Sequence, residues 1–355
     1  MWTTIFLFII VLFFYLHLFQ QYKKSEDLEI YEMDYSNNQT LQTVCDVKQP
    51  VLLQMNHLEE MQPFFNNIQN TTSSLVDKQE VNLYDIREYQ KGPDLSVDPF
   101  ELSFSSAKGL IDSDPKGNFF SQNNFEFGKQ VYGSDFHDSL VKPFSTIKTK
   151  YDFLFGSKDA ATPLQYHTDS RRYLFVSEGA GIHVKMTPWK STKYLHPNHD
   201  YEHYEFWSPI NLWNKDHPCN VKYREDIQKI KCLEFDVPAG YMLYVPPFWW
   251  YSIQFMDNSV NMKSVSNIAC ITFITSMNLV SNIPNYLLYL LQQQNIRHIV
   301  PKVNTNIIFG GSSENNNNTS SSSEEEEKIE QDQKIVVEPK TEVEQMLSVL
   351  QQKKE

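Results

Sequence analysis

The chain has 355 residues and a formal net charge of −13 at pH 7. This length allows one large domain or two smaller ones with appended segments, and a 14% aromatic content supplies a substantial core. The acidic balance argues against a phosphate-binding surface, so we expect no nucleic-acid partner.

The N-terminal region is an almost uninterrupted apolar run. Residues 2–19 contain one strongly polar side chain, His17, and an 18-residue helix spans about 27 Å, enough to cross a bilayer core. A cleaved signal peptide would need a small-residue cleavage site, which the following residues lack. We therefore predict an uncleaved, single-pass transmembrane anchor. Lys23 and Lys24 follow the anchor, so the positive-inside rule places the body in the cytosol.

Short β-strands dominate the prediction for the body, residues 34–300, which follows a polar stalk at residues 20–33. Apolar runs of strand length are separated by Gly and Pro turns, a pattern typical of an antiparallel barrel or jelly roll. These runs are residues 51–55, 173–177, 181–187, 233–237, 242–245, 250–255 and 269–276. The predicted fold class is mainly β with flanking helices.

The C-terminal part combines a predicted helix with a low-complexity segment. Residues 284–300 favour a helix that either covers one end of the barrel or pairs two protomers in a homodimer. One side of that helix carries Tyr286, Leu287, Leu290, Leu291 and Ile296. The Asn/Ser/Glu-rich residues 303–334 predict a disordered linker. Residues 335–355 predict a short amphipathic tail, which either docks a protein partner or is a marginal helix in solvent.

The most informative motif is an H-x-D pair, His167 and Asp169, placed far before the aromatic segment 246–251. Side chains alternate along a strand, so both ligands of such a pair point to one face. A histidine from a later strand then completes a 2-His-1-carboxylate iron site. In this sequence the later position holds Tyr251.

Three segments together resemble the JmjC/cupin-like family of Fe(II)- and 2-oxoglutarate-dependent hydroxylases. They are residues 162–169, 184–188 and 238–253, and the last carries the specific pattern Pro-x-Gly-x-x-Leu-Tyr-Val-Pro-x-x-Trp-Trp. The resemblance covers residues 34–300 in outline and 150–278 in detail. It implies a double-stranded β-helix (jelly roll or cupin), Fe(II) and 2-oxoglutarate as cofactors, and hydroxylation of a protein side chain or small molecule.

The resemblance implies His167 and Asp169 as metal ligands, with Tyr251 at the position of the third. Read without a gap, the family's Thr-Pro-Leu-His-x-Asp pattern instead places Gln165 and His167 at the first two ligand positions. A neutral phenol is a poor Fe(II) ligand beside imidazole. Both alignments therefore give an altered metal triad.

The residues implied for binding 2-oxoglutarate are Thr162, His183 and Lys185. The family's lysine position falls near His183, and Lys185, two residues on, faces the same side of its strand. The remaining residues of the expected pocket are Gln165, Tyr166, Tyr173 and Trp250. A histidine-rich and acidic loop, residues 194–207, is interpreted as solvated rather than as a metal site.

Three functions agree with these residues. The first, which we expect, is a membrane-anchored JmjC/cupin-like domain with lost or weakened catalysis, which binds or scaffolds a partner. Where catalysis is lost, this domain needs no cofactor. The second is an active hydroxylase in which Tyr251 or water completes the iron shell. The third is a metal-free binder of a small ligand in a pocket lined by Tyr166, Tyr173 and Tyr251.

Overall fold

The structure, a computed structural model, describes residues 2–69, 77–89, 97–133, 136–177, 181–214, 217–256 and 267–295. The strands are β1 (Tyr31–Asp34), β2 (Val51–Gln54), β3 (Glu80–Asp85), β4 (Phe100–Ser103), β5 (Phe119–Ser121), β6 (Thr146–Gly156), β7 (Leu164–Tyr166), β8 (Arg171–Val176), β9 (Ile182–Thr187), β10 (Asn198–Asp200), β11 (Glu205–Ser208), β12 (Leu233–Val237), β13 (Tyr241–Val245), β14 (Trp250–Phe255) and β15 (Ile268–Thr275). The helices are α1 (Trp2–Tyr22), α2 (Asn38–Cys45), α3 (Gln62–Gln69), α4 (Ile86–Tyr89), α5 (Phe104–Ser113), α6 (Phe125–Tyr132), α7 (Thr192–Leu195), α8 (Pro218–Lys222), α9 (Arg224–Ile227), α10 (Ser276–Ser281) and α11 (Ile283–Asn295). The prediction of a mainly β body with flanking helices is confirmed.

Two β-sheets make up the body. The nine-stranded sheet has the order β1-β2-β13-β8-β15-β6-β5-β3-β4, and the six-stranded sheet has the order β10-β11-β7-β14-β9-β12. Apart from the parallel pair β1 and β2, the described neighbours are antiparallel. Within the described residues, each of the seven strand predictions coincides with an observed strand to within two residues at either end.

The two faces of the nine-stranded sheet bury different cores. Side chains alternate along β8, so Leu174 and Val176 point toward the six-stranded sheet, where they meet Val184, Met186 and Ile253 in what we call the inter-sheet core. On the opposite face the sheet packs against helices. That second core includes Leu41, Phe64, Ala107, Phe127, Tyr173 and Phe175.

Helix α1 projects from the body with almost all of its side chains exposed. Its 21 residues extend about 31 Å at the usual helical rise, close to the thickness of a bilayer hydrocarbon core. The helix is long and apolar enough to cross a membrane, a test that a signal sequence also passes.

The polar segment after α1 lies against the body. The Lys24 ammonium lies 3.7 Å from the ring centroid of Trp189 and 4.5 Å from that of Phe248. Lys190 Nζ donates a hydrogen bond to the carbonyl oxygen of Glu26 at 2.7 Å. Strand β1 then joins the nine-stranded sheet beside β2. The predicted stalk thus follows the surface of the body between the helix and the first strand.

Replacing Lys24 by glutamine is expected to accelerate trypsin cleavage after Lys23 several-fold in the full chain reconstituted in lipid nanodiscs. Partial burial lowers the pKa of Lys24 to about 8, and stacking of its ammonium on two rings contributes about 1 kcal/mol. Mass spectrometry of timed digests gives the rate. Lys193→Gln, a change at an exposed lysine, serves as the control. Equal cleavage rates in all three proteins would show that Lys24 does not hold the segment.

Helix α11 begins one residue before its predicted start, and residues 296–300 of the predicted helix lie outside the described residues. The predicted apolar side is divided, because Tyr286 faces the body whereas Leu287 and Leu291 are exposed. The linker predicted at residues 303–334 and the tail at 335–355 also lie outside the described residues.

Candidate functional site

Strands β7 and β14 are antiparallel neighbours that bring the two halves of the expected site together. Gln165 lies directly opposite Tyr251, so both side chains face the inter-sheet core. Tyr166 and Trp250 point to the other face of the sheet, where their ring centroids are 4.7 Å apart. Tyr166 also stacks on Phe206 at 5.0 Å. The residues expected to line one pocket therefore lie on both faces of the sheet.

His167 follows β7 and is buried, with 3% of its surface exposed. Its Nε2 lies 3.0 Å from the carbonyl oxygen of Val245. A carbonyl oxygen only accepts, so Nε2 carries the hydrogen and Nδ1 keeps its lone pair. Nδ1 is also buried and has no hydrogen-bond partner among the described residues. Burial lowers the pKa of His167 to about 3, so the imidazole is neutral at physiological pH.

The guanidinium of Arg172 lies between Asp169 and Tyr251. Arg172 Nη2 donates to Asp169 Oδ2 at 3.1 Å, and Nη1 donates to the Tyr251 hydroxyl at 2.8 Å. We call this arrangement the Arg172 bridge. Arg172 occupies the same face of β8 as Leu174 and Val176, so it is a cation at an inward position of an otherwise apolar strand face.

The charges of the Arg172 bridge determine the protonation of its partners. Burial alone would raise the pKa of Asp169, but the positive charges of Lys150 and Arg172 outweigh it and hold that pKa below its usual value. Burial raises the pKa of Tyr251, and Arg172 offsets only part of this increase. At neutral pH the bridge therefore joins a carboxylate, a guanidinium and a neutral phenol.

The second cation, Lys150, is placed by strand register. Lys150 and Arg172 both lie opposite Thr272, one on each side of β15. Directly opposite residues in a sheet share a face, so all three side chains point the same way. Two basic residues on one sheet face thus accompany Asp169.

These residues do not fit a divalent metal ion as they are arranged. The carboxylate that would bind Fe(II) is already paired with Arg172. The hydrogen bond of His167 Nε2 leaves the Nδ1 lone pair available, so the misfit lies in the charges around Asp169 and not in the imidazole. A +2 ion placed about 4 Å from the guanidinium would be repelled by about 8 kcal/mol at an effective dielectric constant of about 20. The expected ligand set therefore lacks the charge balance that a metal centre needs.

The structure does not bring the expected 2-oxoglutarate residues to His167. On β9, Met186 is opposite Tyr251, whereas Lys185 is opposite Ser252 and His183 is opposite Gln254. Lys185 and His183 do face the same side, as expected, but it is the side turned away from the inter-sheet core.

On that outer face Lys185 has local partners. Its Nζ lies 3.3 Å from the carbonyl oxygen of Leu212 and 4.6 Å from the ring centroid of Trp213. It also forms an ion pair with Glu234 at 3.4 Å. Thr162 joins the same region by accepting a hydrogen bond from Ile253 N at 3.0 Å. These contacts give both residues structural roles in the six-stranded sheet.

Tyr173 lies apart from the other expected pocket residues. It packs in the core between the nine-stranded sheet and the helices, on the face of β8 opposite Arg172. Its hydroxyl accepts a hydrogen bond from Gln42 Nε2 at 3.2 Å. Tyr173 and Tyr251 therefore do not line a common pocket.

Residues 194–207 are not a solvated loop, because they contain β10 and most of β11, and Asp200 and Glu202 are buried. The turn between these strands brings Asp200, Glu202 and His203 close together, with their ligand atoms within 4.8 Å of one another. Asp200 Oδ1 accepts from Glu202 N at 2.8 Å, and Oδ2 lies 2.8 Å from His203 Nδ1. These hydrogen bonds within a turn account for the proximity of the three side chains.

No protein-family model matches the chain, and no curated protein matches it in sequence. The resemblance to the JmjC/cupin-like family therefore stays a prediction that rests on the motifs.

Lowering the pH from 7.5 to 5 is expected to destabilise the protein by about 2 kcal/mol through His167. The unfolded chain binds a proton at this residue below its usual pKa of 6.5, whereas the folded chain binds it only near pH 3. The contribution of neutral His167 to the free energy of unfolding is therefore present above pH 6.5 and decreases as the pH falls toward 3. Urea unfolding of the wild type and of His167→Gln at several pH values measures it. The variant is expected to lose this part of the pH dependence, and parallel pH profiles would contradict the assignment.

Proposed function

We propose that this chain is a membrane-anchored domain of the JmjC/cupin type that has lost metal-dependent catalysis and acts by binding a partner. The observation that carries this proposal is the Arg172 bridge. A guanidinium with hydrogen bonds to Asp169 and Tyr251 supplies the positive charge that a metal ion would otherwise supply.

The order of the strands supports the fold that the proposal requires. Eight strands, β6 to β9 and β12 to β15, are distributed over the two sheets in a regular order along the chain. The nine-stranded sheet contains β6, β8, β13 and β15, and the six-stranded sheet contains β7, β9, β12 and β14. A jelly roll likewise distributes eight strands over two facing sheets. This order supports a double-stranded β-helix with β1 to β5 as additions to one sheet.

Either alignment of the metal triad supports loss of the metal. The cross-strand pair Gln165 and Tyr251 agrees with the ungapped alignment, in which the three positions hold Gln165, His167 and Tyr251. The alternative alignment, which shifts the first two ligand positions by two residues, gives His167, Asp169 and Tyr251. Neither set contains two histidines and one carboxylate, and the second already contacts Arg172. A domain with such a site keeps the surface of a hydroxylase without its reactive ion.

Anaerobic titration of the full chain in lipid nanodiscs with Fe(II) and 2-oxoglutarate tests the proposal. An active centre of this kind gives a charge-transfer band at about 500 nm. We expect no band from the wild type. A band that disappears in His167→Ala and in Asp169→Asn would overturn the proposal and favour the active hydroxylase. Circular dichroism of the same samples verifies that each protein is folded.

A further inference from the structure

Helix α11 carries its aliphatic residues on the outside of the protein. Leu287 is 55% exposed and Leu291 is 56% exposed. Together with Ile283 and Leu288, which are also exposed, they occupy positions i, i+4, i+5 and i+8. This spacing places all four on one face of the helix, which we call the α11 apolar face.

The inner face of the same helix is aromatic and polar. Tyr286 stacks on Tyr204 with ring centroids 5.2 Å apart, and Tyr289 contacts the same ring at 6.0 Å. Just before the helix, Asn282 Nδ2 donates to the carbonyl oxygen of Thr168 at 3.1 Å. These contacts determine the rotation of the helix, so its aliphatic side is held outward. A surface helix of a water-soluble protein shows the opposite arrangement.

The anchor helix meets the body next to this face. Helix α1 packs against α10, and the Tyr22 hydroxyl donates a hydrogen bond to the carbonyl oxygen of Ser281, the last residue of α10. Helix α11 begins two residues later, at Ile283. The point at which α1 leaves the body is therefore adjacent to the first turn of α11.

A second exposed group lies at the other end of α10. Phe144 is 96% exposed, and the carbonyl oxygen of its neighbour Ser145 accepts a hydrogen bond from Ser276 N at 3.0 Å. Val280, within α10, is exposed as well. Aliphatic and aromatic side chains thus surround the short helix against which the anchor packs.

We propose that the α11 apolar face, with Val280 and Phe144, lies in the interfacial layer of the bilayer that α1 crosses. This inference rests on the proposed membrane anchoring. An amphipathic helix in this position buries its apolar side about 5–10 Å into the boundary between headgroups and acyl chains. A lipid surface is the occupant that the geometry favours, because the anchor joins the body beside this face. The body would then contact the membrane at two places and have a defined orientation.

Depth-dependent fluorescence quenching of the full chain in nanodiscs tests this inference. An environment-sensitive NBD probe is attached to Leu287→Cys, in a protein that also carries Cys219→Ser and Cys232→Ser. Cys45 and Cys270 remain, because both are buried and burial raises their pKa values to about 11 and about 12. Lipids with a spin label high on the acyl chain serve as the quencher.

Lys116→Cys is the matched control, because it lies far from the anchor. The next residue, Gly117, packs against the backbone of residues 158–160, which follow the last residue of β6. The first residue of β6 lies at the opposite end of that strand, beside α10, against which the anchor packs. The 11 residues of that strand span about 35 Å. We expect the Leu287 probe to show blue-shifted emission and at least two-fold stronger quenching than the Lys116 probe.

Equal quenching of the two probes in a chain that stays in the nanodisc would overturn the inference and leave the anchoring intact. A blue shift without quenching would indicate a second copy on the α11 apolar face, which also overturns it. Release of the wild-type chain from membranes by alkaline carbonate would instead overturn the proposed anchoring. In the labelled protein, Leu291→Glu is expected to reduce the quenching, whereas Val221→Glu, at an exposed position on α8, is expected to leave it unchanged.

Discussion

Replacing Arg172 by leucine is expected to lower the free energy of unfolding by about 3 kcal/mol or more, because the Asp169 carboxylate would stay buried without the guanidinium that donates a hydrogen bond to it. The Asp169 side chain is only 7% exposed, and that of Arg172 is 22% exposed. Lys150 still contributes positive charge near Asp169, so we expect a loss near the lower end of the range for broken buried ion pairs. Urea unfolding of the full chain in detergent micelles measures the difference.

A double-mutant cycle separates the ion pair from the packing of the arginine side chain. Asp169→Asn removes the negative charge, so Arg172→Leu is expected to cost at least about 1 kcal/mol less in that background. Lys142→Leu is the matched control, because Lys142 pairs with Asp138 at 3.0 Å with both side chains partly exposed to solvent, where such a pair contributes about 1 kcal/mol or less. Arg172→Leu with a cost no greater than that of Lys142→Leu would contradict the structural importance of the Arg172 bridge.

The double variant Arg172→Leu/Tyr251→His is expected to acquire a site for a divalent metal that the wild type lacks. It removes the guanidinium, which repels such an ion by about 8 kcal/mol at about 4 Å. It also supplies a second imidazole, so that His167, Asp169 and the new side chain form a 2-His-1-carboxylate set. Because the bound ion would replace the lost positive charge beside Asp169, metal binding is also expected to restore stability. Visible absorption of Co(II), together with the melting temperature, reports the site.

The single variants are the controls for this gain. Tyr251→His alone keeps the guanidinium and is expected to bind Co(II) no better than the wild type. A Co(II) concentration about 100 times the dissociation constant is expected to stabilise the double variant by about 2.7 kcal/mol. Failure of Co(II) to stabilise a folded double variant would favour the ungapped alignment. In that case a 2-His-1-carboxylate site would require Gln165→His and His167→Asp in addition to Tyr251→His.

Seven of the fifteen strands in the described residues followed from local pattern. Residues 233–237 and 250–255 were predicted with the bounds that β12 and β14 have in the structure. Alternation and turn residues act within a few positions of the chain, so they are visible in the sequence. Strand β6 was missed because its first half, Thr-Ile-Lys-Thr-Lys, is polar at every position except Ile147 and so lacks the alternation of a half-buried strand. The structure pairs β6 with β15 along most of its length.

The sequence by itself indicated three residues that lie close together, His167, Asp169 and Tyr251. The H-x-D pair and Tyr251 were chosen from motif and spacing, and the register of β7 with β14 brings these segments together. The sequence also determined that His183 and Lys185 share a face, because alternation along one strand is a local property.

Only the tertiary structure decided which face is buried and what lies across from each side chain. Arg172 carried no motif, and its role depends on contact with Tyr251, which is 79 positions away in the chain. The same limit applies to Lys185, which lies on the outer face, and to α11, whose aliphatic side points outward. Periodicity defines the sides of a strand or helix, but the packing of distant segments selects the buried side. That selection is made by contacts between residues far apart in the chain, which local sequence patterns do not record.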